Sequence, residues 1–459
     1  MGSFFSTLAG QRVAFIGAGV AHRDLIPLFA KAGARVTLCD QKPRAHFGAW
    51  ADEMEALGVA LCLGEGYLAG LAGQQMIMRT PGFEYFTPAL QAAKAEGAII
   101  TSEIELFFEH CPCPIVGVTG SDGKTTTTSL IAAIYAVAGR TVHLGGNIGR
   151  ALLPIVDDVK KTDVAAVELS SFQLISMHTS PGIAVVTNVT PNHLDHHRDM
   201  DEYVNAKRNI LRFQPKTGVA VLGHENDISR GMAADALGEV RFFSRLRPVE
   251  NGAFLNDEGQ LCLAWAGRVQ PVFHRSALLL RGEHNIENML AAMAALRDEV
   301  TPSAMEKVAQ SFAGVAHRIE PVRLLDGVQW FNDSIATSPT RVVAGLRAFS
   351  QKLIVIAGGY DKNIPYEPMA KDVLAHVKVL ILTGQTADKI EAAVRGEAGF
   401  AESGLVILRA RDLEDAVHLA HKAARPGDIV TLSPASASFD CYANFEARGE
   451  HFKQLVRAL

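Results

Sequence analysis

Three features of the sequence predict an α/β chain built on mostly parallel sheets. Short, nearly continuous apolar runs end in small or polar residues and alternate with helical stretches, the pattern of strands covered on both faces. Two of these runs enter glycine turns that open helices, in RVAFIGAGVAH and in PIVGVTGSDGKTTT. The 459 residues exceed what one core holds, and at ~150 residues per domain they predict about three domains.

The apolar run 13–16 meets a turn at Gly17, then a helical stretch, then a second strand ending at Asp40, which makes a βαβ unit. MIMRTPGF and GAIITSEIELF continue the rhythm, and the first domain is expected to span 1–102. A new strand starts at Pro114 and runs into a Thr-rich helix start. DVAAVELSS and GIAVVTNV follow as strands, then a polar helix around DEYVNAKRNILRF. Between 240 and 280 the apolar pieces are short and broken by NG, NDEG and AGR, which predicts hairpins. In GEHNIENMLAAMAALRDEV, Ile286, Met289, Leu290, Met293 and Leu296 recur at helical spacing, closing a second domain expected over 103–314. The last domain, 315–459, carries the strands KLIVIAGG, VKVLILTG, GLVILRA and GDIVTLSPAS, and such sheets bind ligands at the carboxyl ends of their strands.

Composition excludes several classes. Hydrophobic content of 48% and charged content of 20% suit a folded globular chain. A net charge of −5 argues against a nucleic-acid partner held by bulk electrostatics, while leaving room for a local phosphate site. No apolar run reaches the ~18 residues of a membrane span. MGSFFSTLAGQR lacks the basic flank and apolar core of a secretory signal, so a cytoplasmic location is expected. Gly2 and Ser6 match a myristoylation pattern, but no polybasic patch follows to supply a second anchor. Six cysteines are too few for a disulfide scaffold, and Cys111-Pro-Cys113 has no second pair to complete a zinc site. Reduced thiols are expected.

The strongest chemical motif is Gly117-Val-Thr-Gly120-Ser-Asp-Gly123-Lys124-Thr125-Thr126, after a strand and opening a helix. Glycines let backbone N–H groups wrap phosphate oxygens, and the helix N-terminus adds partial positive charge. Lys124 can reach β- and γ-phosphates, and the Thr125 hydroxyl can take a metal ion. Val118 stands where GxxxxGK[ST] requires glycine, so this is a variant phosphate loop. The Gly17-Ala-Gly19 turn is weaker: His22 stands where a dinucleotide fingerprint wants a third small residue. Asp40 sits where an acid would meet a ribose or base, and a nucleotide-binding turn other than NAD-specific is preferred to a plain tight turn.

Glu168 ends a strand, as Mg²⁺-holding carboxylates commonly do, although alone it is equally a solvated edge residue. In NVTPNHLDHH one functional histidine, His193, is favoured over a full metal cluster. In isolation Lys207 reads as a solvated helix residue. Asn285 and Asn288 share one helical face. With Arg318 and Asp333 they suit an adenine nucleotide, each weakly.

These motifs follow one another in the order GSDGKTTT, ELSSFQL, NVTPNHLDHH, AKRN, GEHNIENMLAA, HRIE, NDSIAT and SPASASFDCYANFEARGEHF. From about Val13 to the C-terminus the chain thereby resembles the Mur ligase family. GGNIG at 145–149 and the SPASASFDCYANFEARG ending resemble its D-glutamate-adding branch. The resemblance implies an N-terminal Rossmann-like domain, a central P-loop-type ATPase with added hairpins, and a C-terminal Rossmann-like domain. It implies ATP-driven amide formation through an acyl phosphate, with UDP-N-acetylmuramoyl-L-alanine and D-glutamate as substrates, two Mg²⁺ ions, domain closure and a monomeric enzyme. Gly17, Val20, Ala21, Asp40, Thr80, Pro81 and Gly82 would hold the uridine diphosphate, and Asn147 and His193 the muramoyl-alanine part. Gly120, Gly123, Lys124, Thr125, Thr126, Asn288, Arg318 and Asp333 would surround ATP. Thr125, Glu168, His193 and Lys207 would organise the metal ions, Lys207 as a carbamate. With Lys124, the last three would be catalytic. Thr337, Lys362, Ser438, Phe439 and Phe445 would line the amino-acid site.

Two positions depart from the family pattern. Ile335 stands where NDSKAT has lysine, leaving Lys362 to meet the D-glutamate carboxylate, and Asp122 stands where asparagine is common. The alternatives are a relative that adds another amino acid, a folylpolyglutamate synthase-like ligase, a nicotinamide-dependent oxidoreductase and a binding-only nucleotide sensor. His22 argues against the oxidoreductase, and the presence of Lys124 and Glu168 against the sensor.

Overall fold

The computed structural model describes residues 4–149, 151–191, 197–280, 282–361 and 364–459, with the backbone alone for residues 20 and 21. The chain forms two compact units, Met1–Phe312 and Ala313–Leu459. The first unit holds two sheets. One consists of β1 (Arg12–Ile16), β2 (Arg35–Asp40), β3 (Ala60–Leu63), β4 (Met76–Arg79) and β5 (Ile99–Thr101), in the order β3-β2-β1-β4-β5. Every pair in it is parallel. The strand order reverses between β1 and β4, so the turns that follow them face one crevice, the usual ligand position in such sheets.

The second sheet contains β6 (Ile115–Thr119), β7 (Val142–Gly146), β8 (Val164–Glu168), β9 (Ile183–Val186), β10 (Val219–Gly223), β11 (Glu239–Ser244), β12 (Gly252–Leu255), β13 (Gln260–Trp265) and β14 (Arg268–His274). Its order is β14-β13-β12-β11-β10-β9-β6-β8-β7. The hairpins expected after 240 are the antiparallel β12-β13-β14 end of this sheet. Over the sheet, Leu130, Ile131 and Ile134 of the helix Lys124–Val137 share a core with Met289, Leu290 and Met293 of the helix Glu283–Leu296.

The two sheets of the first unit also share a core across position 102. One apolar cluster joins Phe15, Leu25, Phe29, Ile104 and Phe107 to Leu152, Leu174, Tyr203 and Leu211. Buried polar groups reinforce it: the Glu103 carboxylate accepts from Leu152 N (2.6 Å) and Leu153 N (2.8 Å), and Glu105 accepts from His178 N (2.6 Å).

The second unit holds β15 (Glu320–Leu325), β16 (Val328–Asn332), β17 (Leu353–Gly358), β18 (Val377–Thr383), β19 (Val406–Arg409) and β20 (Ile429–Leu432), ordered β15-β16-β20-β17-β18-β19. Only β15-β16 is antiparallel. Among the described residues, no helix is long and apolar enough to cross a membrane.

Candidate active site

The phosphate loop leaves β6 and enters the helix Lys124–Val137 through Gly123, whose φ of 80° and ψ of −12° are left-handed. No side chain caps this helix, so the N–H groups of its first turn are left to other acceptors. The loop is also crowded. A Cβ on Gly123 would lie 2.3 Å from Asn288 Oδ1, and one on Gly120 would lie 1.8 Å from Thr187 Oγ1. Asn288 is fixed there by Thr127 Oγ1, which donates to its Oδ1 (3.3 Å), and by its own donation to Asn285 Oδ1 (3.0 Å). Lys124 Nζ donates to the carbonyls of Gly120 (3.0 Å) and Ser121 (2.9 Å). Thr125 and Thr126 are buried in the first turn.

Glu168 ends β8 beside β6, with Val118 opposite it in register. Its Oε1 accepts from Asn147 Nδ2 (2.7 Å), while the buried Oε2 has no hydrogen-bond partner among the described residues. A buried carboxylate oxygen left unpaired is costly unless something else meets it. Lys207, 1% exposed, reaches the same loop from the helix Met200–Arg212 and donates to Gly120 O (2.8 Å). Burial, and then the nearby Lys124, push its pKa well below the ordinary lysine value, against the pull of Glu168 and Asp122. Thus Gly120, Gly123, Lys124, Thr125, Glu168, Asn147, Lys207 and Asn288 converge on one loop.

A Mg²⁺ ion takes few carboxylates and keeps water and phosphate oxygens as its other ligands. Thr125 and the unpaired Glu168 oxygen fit one such ion. Among the described residues no group of three His, Cys, Asp or Glu could hold a metal. His193 lies outside the described residues.

In the crevice of the first sheet, Gly17, Asp40 and Thr80 come together. A Cβ on Gly17, at φ 80°, would lie 3.4 Å from Thr80 Cγ2 and 3.9 Å from Asp40 Oδ2. Asp40 fastens the turn: Oδ2 accepts from Ala18 N (2.9 Å) and Oδ1 from Lys42 N (2.9 Å). His22 is buried against Phe15 and bonds Gly17 O through Nδ1 (2.9 Å), and burial lowers its pKa to about 4. The third small residue of a dinucleotide turn is therefore replaced by a neutral imidazole that holds the turn. Gly82 follows Thr80 and Pro81 in the turn after β4, and Val20 and Ala21 open the helix Val20–Lys31.

In the second unit, Asp333 follows β16 fully buried, accepting from Ile319 N (3.2 Å) and Ser433 Oγ (3.3 Å), and burial lifts its pKa to about 7. The hydrogen bond from Ile319 N opposes that lift first, and the charges of Arg318, on the preceding loop, and of Arg341 also oppose it. Ser438 is buried, Phe439 is exposed with its ring centroid 6.0 Å from Tyr360, and Phe445 opens the C-terminal helix Phe445–Ala458. Thr337 N donates to Ile335 O (2.8 Å). Lys362 lies outside the described residues.

Several residues here escaped sequence reasoning. Tyr203 sits one turn before Lys207, with the Lys207 Nζ 4.7 Å from its ring centroid and its hydroxyl 2.9 Å from Ser121 Oγ. Its i, i+4 spacing to Lys207 was an available signal. Arg448 is buried and ties Ser334 O (3.0 Å) to Ser436 O (3.1 Å) and Ala437 O (2.9 Å), fastening NDSIAT to SPASAS.

A strand-end carboxylate beside a glycine loop that opens an uncapped helix belongs to α/β enzymes that use nucleoside triphosphates. Residues 118–296 match the Mur ligase middle domain, and 317–436 the Mur ligase glutamate ligase domain. The chain is 46% identical over 461 residues, covering 100% of it and 99% of the relative, to the UDP-N-acetylmuramoylalanine–D-glutamate ligase of Acetivibrio thermocellus. The enzyme of that name from Clostridium novyi is 43% identical, with 99% of this chain and 98% of the relative covered. The chain belongs to the Mur ligase family. Among solved structures, the UDP-N-acetylmuramate-alanine ligase of Thermotoga maritima shares the fold at a TM-score of 0.58 and 16% identity, covering 97% of this chain and 99% of that one. A pseudomurein peptide ligase type C from Methanothermus fervidus does so at 0.55 and 17%, covering 98% and 100%.

Proposed function

We propose that this chain uses ATP to join D-glutamate to the alanyl carboxylate of UDP-N-acetylmuramoyl-L-alanine, a step in peptidoglycan precursor synthesis. The observation that carries the reading is Glu168: a buried strand-end carboxylate, positioned by Asn147 and keeping one oxygen without a partner among the described residues, beside the phosphate loop. Full-length identity to ligases named for this reaction supports the choice of substrates.

In the proposed reaction the substrate carboxylate attacks the γ-phosphorus of ATP, and ADP leaves. The glutamate amine then adds to the acyl phosphate carbonyl. The tetrahedral intermediate loses a proton and expels phosphate, leaving the amide. Most of the catalysis is positioning and charge stabilisation. The first-turn N–H groups of the helix Lys124–Val137 and Lys124 would hold the β- and γ-phosphate oxygens. Gly120, Gly123, Thr126 and Asn288 would shape the loop around them, and Arg318 and Asp333 are also assigned to the nucleotide.

Thr125 and Glu168 would hold Mg²⁺, which when bound neutralises charge building on the transferring phosphoryl group. A second ion would fall to His193 and Lys207. Lys207 suits carbamate formation because a lysine whose pKa is lowered offers the neutral amine that adds carbon dioxide. Gly17, Val20, Ala21, Asp40, Thr80, Pro81 and Gly82 would meet the uridine diphosphate, with Asn147 and His193 at the muramoyl-alanine. Thr337, Lys362, Ser438, Phe439 and Phe445 would meet D-glutamate. The reading assigns three functional domains, 1–102, 103–314 and 315–459, in a cytoplasmic monomer.

The test is phosphate release from ATP with Mg²⁺ and UDP-N-acetylmuramoyl-L-alanine as amino acids are exchanged. Turnover should depend on D-glutamate. Best turnover with another amino acid, or none with D-glutamate, overturns the assignment.

A further inference from the structure

Arg79 is the last residue of β4 and 1% exposed, yet among the described residues its guanidinium hydrogen-bonds carbonyls and a hydroxyl rather than a carboxylate. Burial lowers its pKa to about 10, so it remains a cation at neutral pH. A buried guanidinium with no carboxylate in direct contact is costly; the charge of Glu105 favours the cation from beyond contact range, and oriented dipoles replace its water.

Those dipoles come from two places. One arm, Nη1, donates to the carbonyls of Thr80 (3.3 Å), Pro81 (3.3 Å) and Phe83 (2.8 Å). The other arm, Nη2, donates to Phe172 O and to Ser176 Oγ (3.0 Å). The first set is the turn after β4. The second is the short helix Ser171–Leu174 and its exit, which begin three residues after Glu168. The Arg79 plane is further covered by the Tyr85 ring, 5.7 Å from the guanidinium carbon.

We infer that Arg79 is a positioning residue that sets the Thr80–Pro81 turn against the segment following Glu168, and so fixes the uridine-side pocket relative to the carboxylate. This rests on the assignment of residues 80–82 to the uridine diphosphate. The geometry explains why arginine stands there: its planar fork addresses two groups of acceptors at once, whereas a lysine ammonium has a single point of attachment. The neighbouring segment is held from another side as well. His197 bonds Ser171 Oγ through Nε2 (2.9 Å) and Glu202 through Nδ1 (3.1 Å), and its ring stacks on Phe172. Arg79 therefore ties the turn to a segment that is already fixed, which gives it leverage over the turn.

The experiment is calorimetric binding of UDP, and separately of a non-hydrolysable ATP analogue, to wild type, Arg79→Lys, Arg79→Met and Ser176→Ala. Arg79→Met should bind UDP at least tenfold more weakly and the ATP analogue as wild type does. Arg79→Lys, which keeps the charge, should fall between. Ser176→Ala should weaken UDP two- to fivefold in wild type and add nothing in the Arg79→Met background. A merely structural arginine would weaken both ligands together. Equal loss for both ligands, unchanged UDP binding in Arg79→Lys and Arg79→Met, or additive effects of Ser176→Ala overturn the inference. If Arg79→Met does not fold, Arg79→Lys and Ser176→Ala decide it. A wild type that binds no UDP refutes the underlying pocket assignment, and the inference with it.

Discussion

Two glycines at opposite ends of one helix allow the close packing of the phosphate loop to be measured. Gly123 and Gly139 flank the helix Lys124–Val137 with nearly equal φ, 80° and 82°. Alanine at either position pays the left-handed cost of about 1–2 kcal/mol. A Cβ at 139 meets nothing within 4 Å, so Gly139→Ala should show that cost alone. A Cβ at 123 would lie 2.3 Å from Asn288 Oδ1, and the amide must retreat by about 1 Å to reach ordinary contact. That retreat breaks the 3.3 Å bond from Thr127 and misaligns the 3.0 Å bond to Asn285, each worth ~0.5–1.5 kcal/mol. Gly123→Ala should therefore lose ~2–5 kcal/mol. A 1 Å misplacement at the loop should also lower kcat/KM for ATP about 100-fold, with Gly139→Ala unchanged. Thermal unfolding and phosphate release at varied ATP measure both effects. If the two variants match in stability and in ATP kinetics, the close approach of Asn288 to the loop is not what shapes it.

Glu168→Gln keeps an acceptor for Asn147 while removing the charge, so folding should survive and kcat should fall by 10²–10⁴ in the phosphate-release assay. Stability of the second unit should depend on Asp333: with a folded pKa near 7 against an unfolded value near 4, the folded state binds more protons between those values. Its stability should thus fall as pH rises from about 4 to 7, by up to ~1.4 kcal/mol per pH unit. Asp333→Asn should flatten that window in unfolding measurements at several pH values, and parallel curves would refute the assignment. Arg448→Met leaves the Ser334, Ser436 and Ala437 carbonyls without their shared donor, so the KM for D-glutamate should rise at least tenfold. An unchanged KM would remove Arg448 from the positioning of those loops.

The strands and the phosphate loop were legible because they are local. Apolar runs of four to seven residues, a glycine turn and a helix start are all written within about fifteen consecutive positions. The hairpins of β12, β13 and β14 were legible for the same reason, through NG and NDEG. Arg79 was not, because its burial depends on Phe172 and Ser176, 93 and 97 residues away. His22 was legible only as a departure from a fingerprint. That it holds Gly17 O depends on an imidazole turned back into the sheet against Phe15. Asp40 was found by its spacing, but spacing could not show that its carboxylate would be occupied by two backbone amides.

Net charge was the least informative sequence quantity for this site. A chain of −5 is expected to repel anions at long range, yet at ~8–10 Å such effects are largely screened in physiological salt. What acts on a phosphate is what lies within a few ångströms of it. There, Lys124 and Lys207 both hydrogen-bond the Gly120 carbonyl, so two amines crowd one loop, with Glu168 and Asp122 pulling the other way. An excess of acidic residues over the whole chain is therefore compatible with a phosphate site, because the first-turn N–H groups of the helix Lys124–Val137 and the Lys124 side chain act at contact range.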